Sequence, residues 1–257
     1  MSNSPLVSYT MISPNKNSPR NHAIDTISIH CVVGQLTAKQ VGNIFQDTRA
    51  GHRCSSNYAV DVNGKIGMYV EEKDRSWCTS SGANDHRAIT IEVASDVTAP
   101  YAVRDNVYEA LIELLVDICK RNNIKRLLWE GNPDLIGDVS RQNMSVHRWF
   151  ANKACPGKYL YDKHPDIVKK VNAKLGVQDT MVNKPVETPT SELPYKVKVS
   201  VEKLRVRRGP GTNYDTNGTA KPGIYTIIEE GNGVGATRWG RLKSKAGWIS
   251  LDYATKI

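Results

Sequence analysis

The sequence has no run of 18 apolar residues, so no stretch of it reads as a membrane-spanning helix. Its first residues, MSNSPLVSYTM, lack the basic segment and apolar core of a standard secretory signal. Cysteine is scarce. The five residues are odd in number and carry no framework spacing, which argues against a disulfide scaffold and fits synthesis in a reducing cytoplasm. Acidic residues are also short, 26 against 35 Lys and Arg, for a formal charge of +9. Such a surplus suits a polyanionic partner, either nucleic acid or an anionic cell wall. It is unevenly placed: residues 195–257 hold 12 Lys/Arg and 5 Asp/Glu, a net of +7, which leaves +2 for the rest.

The 257 residues are enough for one large domain and one small one. The segment QDTMVNKPVETPTSELP, 178–194, reads as a linker, with three prolines and no amphipathic period. This predicts a first domain over 1–177 and a second over 195–257. In the first, strands and helices alternate. Strands are expected over 24–33 and 88–94, and a hairpin over 58–62 and 65–70 around Asn63-Gly64. Helices are expected over 37–48, opened by a Thr37/Gln40 capping box, over 104–122, and over 162–175 with Pro165 in the first turn. The stripe Val107, Leu111, Leu114, Leu115, Ile118 marks the core side of the long helix. The predicted class is α/β, a mixed sheet flanked by helices. The second domain is all short strands, split by Gly, Pro and Asn, the pattern of a small barrel.

The run HRWFANKACPG, 147–157, is the most chemically suggestive stretch. It holds His147, Cys155 and, between them, Lys153. Imidazole and thiolate are the ligand types that zinc prefers, and three protein ligands with one open position make a catalytic site. His30, on the polar face of the apolar strand IDTISIH, is the best third ligand. A lone histidine or cysteine is more often structural; that reading is kept for Cys31, Cys54, Cys78 and Cys119. Glu92 alternates against Ile89, Ile91 and Val93, so it faces away from the core and could serve as a general base near His30. Lys153 could stabilise an oxyanion.

Four segments, IDTISIHCVVG, SSNYAVDVNGKIGMYVEEKDRSW, HRAITIEVASD and SVHRWFANKACPGKYL, in this order, resemble the zinc-dependent N-acetylmuramoyl-L-alanine amidases. These include amidase-type phage lysins and relatives of the peptidoglycan recognition proteins. The resemblance covers residues 20–175. It implies Zn2+ on His30, His147 and Cys155, with Lys153 as transition-state stabiliser and Glu92 as catalytic glutamate. The tyrosine used by some members falls at Ser56 here, and Tyr58 takes a core position. Where many members have a histidine after the tryptophan, this chain has Cys78 after Trp77.

The last 63 residues resemble bacterial SH3-like wall-binding modules through LRVRRGPGTNYD and WGRLKSKAGWISLDY. Tyr214, Trp239, Trp248 and Arg207 are the candidate wall contacts. Together the resemblances imply a peptidoglycan hydrolase acting on Gram-positive walls, a phage or prophage endolysin that waits in the host cytoplasm until release. The alternative is a peptidoglycan-binding protein without catalysis, whose relatives lose the cysteine ligand. Nucleic acid is not an expected partner, because it offers no role for His30, Glu92, Lys153 and Cys155 together, and no membrane insertion is expected.

Overall fold

The computed structural model describes residues 2–177 and 193–257, except 213 and 234. The expected linker, 178–194, lies outside the described residues but for its last two. The chain forms two compact units, Met1–Thr180 and Met181–Ile257.

Among the described residues, eight strands belong to the first unit: β1 (Val7–Thr10), β2 (Lys16–Asn17), β3 (Thr26–Cys31), β4 (Tyr58–Val60), β5 (Ile66–Met68), β6 (Arg75–Ser76), β7 (Ala88–Val93) and β8 (Met144–Ser145). Its helices are α1 (Ala38–Phe45), α2 (Gly82–Arg87), α3 (Asp105–Arg121) and α4 (Gly157–Lys174). Six strands form one sheet in the order β1-β5-β4-β7-β3-β8, while β2 and β6 pair separately. All contacts in the large sheet are parallel except β4 with β5. The sheet is mixed and carries helices, as the alternation of periods predicts.

Alternation along the strands sets the two faces. Ile27, Ile29, Ile89, Ile91, Tyr58 and Val60 join Leu111, Leu114, Leu115 and Ile118 of α3 and Ile167 and Val171 of α4 in one buried core. Each such aliphatic side chain withdrawn from water contributes roughly 1.5–3 kcal/mol. The opposite face carries a smaller cluster, Val41 and Phe45 of α1 against Ala59 and Tyr69. The capping box of α1 is present: Gln40 N donates to Thr37 Oγ1, and Thr37 N to Gln40 Oε1. The hairpin closes through 62–64, with Asp61 N donating to Lys65 O and Gly64 in the left-handed region.

One helix differs from expectation. α4 begins at Gly157, not 162, so Pro165 lies inside it rather than in its first turn. Pro156 stands at the N-cap, and inside the helix, next to Pro165, His164 Nδ1 bonds the Leu160 carbonyl at 2.7 Å. Gly176, just past the C-cap Leu175, has φ +69°, as a helix-ending glycine should.

The second unit is a seven-stranded antiparallel sheet: β9 (Tyr195–Val199), β10 (Leu204–Arg207), β11 (Thr216–Ala220), β12 (Gly223–Gly233), β13 (Ala236–Leu242), β14 (Trp248–Ser250) and β15 (Ala254–Lys256). Their order is β11-β10-β14-β13-β12-β9-β15. Val197, Val199, Val206, Ile227, Leu242 and Ile249 form its own core. No helix among the described residues is long and apolar enough to cross a membrane.

Candidate metal centre

The site gathers at the C-terminal ends of the parallel strands β3 and β7. His30 and Glu92 are register partners, so they point the same way from adjacent strands. His30 is fully buried. The 3-10 turn His147–Trp149 follows β8, which pairs with β3, and so brings His147 beside His30. Their rings lie 5.2 Å apart, centroid to centroid. The chain then folds back on itself. Phe150 N donates to His147 O at 2.9 Å, Arg148 N to Cys155 O at 3.2 Å, and the Arg148 guanidinium to Ala154 O at 2.6 Å. That closure returns Cys155 to the strand ends.

Cys155 Sγ sits 3.3 Å from His30 Nδ1. One candidate donor atom from each of His30, His147 and Cys155 falls within a 4.8 Å cluster. Ligands of a tetrahedral zinc, at bonds of 2.0–2.3 Å, stand about 3.5 Å from one another. A second combination, His30 with Cys78 and Glu92, meets the same 4.8 Å limit. The two combinations share His30.

The electrostatics suit a bound cation. Burial, then the neighbouring His147, pushes His30 down to about 3, so it is neutral and free to donate a lone pair. Burial, then the Lys153 charge, lowers His147 too. The Cys155 thiol is raised by its hydrogen bond with Cys31 and then by burial. Burial pushes Glu92 up to about 8. Its Oε2 is buried with no hydrogen-bond partner among the described residues. A divalent cation reverses this logic for thiol and carboxylate alike. The donor chemistry, the spacing and the orphaned oxygen all fit zinc.

Of the other sequence candidates, Lys153 is exposed on the loop before Cys155, near enough to be felt at His147. Tyr58 is buried on the core side, its hydroxyl donating to Glu72 Oε1 and accepting from Ser4 N. Ser56 is buried, donating to Tyr58 O. No phenol enters the site from either position. Cys78 does enter it, with Sγ 3.9 Å from Glu92 Oε1. Three contacts carry no sequence signal of their own: Ser28 Oγ at 3.1 Å from His30 Nε2, Ser80 Oγ at 3.0 Å from His147 Nε2, and Cys31 against Cys155. Alternation does put Cys31 in the core behind His30, but a residue at a strand end also meets what folds over that end.

In the second unit a cleft of about 470 Å³ is lined by Lys203, Arg205, Arg207, Trp239 and Tyr253, among others. Arg207 and Trp239 therefore meet there. Trp239 is only 2% exposed and donates its indole N–H to Gly233 O. Tyr214 and Trp248 are not among the lining residues. Tyr214 packs over Gly209, and Trp248 over Gly231.

A buried imidazole and a carboxylate at strand ends, met by a half-buried imidazole and a thiol from one loop, make this unit a candidate metal-centred hydrolase. Residues 20–158 match the family model described as N-acetylmuramoyl-L-alanine amidase, more than half of the sequence, and the chain belongs to that family. Similar solved structures include a mutant endolysin from Bacillus subtilis, with 15% identity, 63% of this chain and 97% of that chain covered, and TM-score 0.46. A selenomethionine AmpD derivative has 19% identity, coverage of 62% and 93%, and TM-score 0.47. The N-acetylmuramoyl-L-alanine amidase LysC from Clostridium intestinale URNW has 16% identity, coverage of 67% and 96%, and TM-score 0.41. No curated protein matches the chain.

Proposed function

We propose that the chain is a zinc-dependent amidase that cuts peptidoglycan between the lactyl group of N-acetylmuramic acid and the L-alanine of the stem peptide. The observation that carries the reading is the convergence of His30, His147 and Cys155 within 4.8 Å, with Glu92 in register beside His30. His30, His147 and Cys155 would hold the metal. Bound there, zinc polarises a carbonyl and makes a water acidic near neutral pH.

The residues themselves do the rest. Glu92, held on a rigid strand with one free oxygen, accepts the proton of the attacking water. The same carboxyl then protonates the leaving amine of L-alanine. Its raised affinity for a proton suits both halves of that transfer. Lys153, exposed and close enough to His147 to lower its pKa, would stabilise the charge that gathers on the lactyl oxygen. Cys78 donates toward Glu92 from the side, in place of an imidazole.

Residues 195–257 are read as an SH3-like wall-binding domain, joined by the linker 178–194. Support comes from the cationic cleft with Arg207 and Trp239, and from the charge of +7 in this piece. Wall binding raises the local substrate concentration. The role that follows is lysis of a Gram-positive host wall by a phage or prophage endolysin.

The test is digestion of purified Gram-positive walls with and without a zinc chelator, with fragments identified by mass. New L-alanine amino termini on intact glycan, lost with chelator, are the expected result. New reducing sugar ends would overturn the reading, and wall binding without cleavage would favour a pure binder.

A further inference from the structure

Among the described residues, Ser80 is one of five other than glycine with a left-handed backbone, at φ +63°. L-residues avoid that region, so something must hold it there. The holder is Asp85, a buried carboxylate on α2. It accepts from Cys78 N at 3.0 Å, from Thr79 N at 3.2 Å and from Thr79 Oγ1 at 2.6 Å. On the far side Ser81 caps α2, its hydroxyl accepting from Asn84 N. The segment between β6 and α2 is thus pinned at both ends.

Its side chains at 78 and 80 reach the site. Cys78 Sγ approaches Glu92, and Ser80 Oγ lies 3.0 Å from His147 Nε2. The His147 contact has a counterpart. His30 has a serine hydroxyl, Ser28, on Nε2 and Cys155 on Nδ1. In His30, one ring nitrogen is anchored and the other faces the donor cluster.

We propose that Ser80 is a positioning residue for His147: its hydroxyl oxygen accepts a hydrogen bond from Nε2–H and fixes the ring with Nδ1 toward the metal, while Asp85 holds Ser80 in place. This rests on the reading of His147 as a zinc ligand. Hydrogen bonds of this kind set the tautomer and orientation of a ligating imidazole, and their loss typically lowers metal affinity about 10- to 100-fold.

The test uses Ser80→Gly in the full chain, because glycine accepts the left-handed backbone without the hydroxyl. Zinc affinity is read by competition with a chromophoric chelator, and folding by thermal unfolding of the metal-free protein. The expected result is a Tm equal to or above the parent's, with zinc affinity lower by about 10- to 100-fold. Unchanged zinc affinity in Ser80→Gly, with zinc lost in His147→Ala, overturns the role of Ser80 and leaves the ligand assignment intact. Full zinc affinity in His147→Ala overturns the ligand assignment and this proposal with it.

Discussion

Glu92 stands where a carboxylate is costly. Its Oε2 has no partner among the described residues, and burial pushes the group up to about 8 from an ordinary 4.5. The metal-free fold therefore holds that proton more tightly than the unfolded chain does. The penalty is absent below about pH 4.5, grows as pH rises, and is complete above about 8. Glu92→Gln in chelated protein should thus raise Tm at pH 8.5 and change it little at pH 5, as thermal melts at the two pH values will show. With zinc bound, the same variant should keep its metal and lose about 10²- to 10⁴-fold in wall cleavage. Cys155→Ser should instead lose zinc, read by metal analysis after dialysis. The placement of Glu92 was legible because alternation against Ile89, Ile91 and Val93 assigns its face. Ser28 and Ser80 were not: a hydroxyl in a strand or loop has no period that names its partner.

At the scale of elements, the longest periodic signal was the most legible. Seventeen residues of α3 repeat the 3.6-residue stripe, and all five expected core positions are buried. The start of α4 was obscured because Pro165 reads as a first-turn proline, while the helix opens at the Pro156-Gly157 step that also follows the cysteine ligand candidate. Short pieces such as β6 and α2 are too brief for any period and form only because neighbours complete them. Gly157 joins α4 to the site under tight constraint. Its φ is +80°, and an added Cβ would lie 2.8 Å from Tyr101 Cβ and 3.1 Å from Pro100 O. Gly157→Ala should destabilise the first unit by about 1–3 kcal/mol, checked by denaturant unfolding. Because Cys155 lies two residues away, zinc affinity should fall as well.

For the whole molecule, the two units have separate cores, one around α3 and α4 and one within the seven-stranded sheet. Each buries its own apolar side chains, so each should fold alone. A fragment of residues 1–177 should retain chelator-sensitive cleavage of soluble muropeptides and lose most co-sedimentation with walls. Residues 195–257 should show the reverse. Wall binding by the full chain should weaken with added salt, since most of the positive charge lies in the second piece. Co-sedimentation over 50–500 mM salt measures this. The domain pattern was visible as a change from mixed periods to short strands, but the cleft was not. Sequence offers four aromatic and basic candidates alike, and only the pairing of β10 with β14 and of β13 with β14 decides that Arg207 and Trp239 share one wall.

The loop that closes from His147 back to Cys155 has a kinetic consequence. Two of the three ligand candidates ride on one short segment, tied by Arg148 N to Cys155 O and by the Arg148 guanidinium to Ala154 O. Opening that segment would strip both ligands together and leave His30 behind on its strand. Metal escape should then follow a single local-unfolding event, with a rate set by how often the loop opens. Amide hydrogen exchange at Arg148 would report that opening, and zinc would slow it.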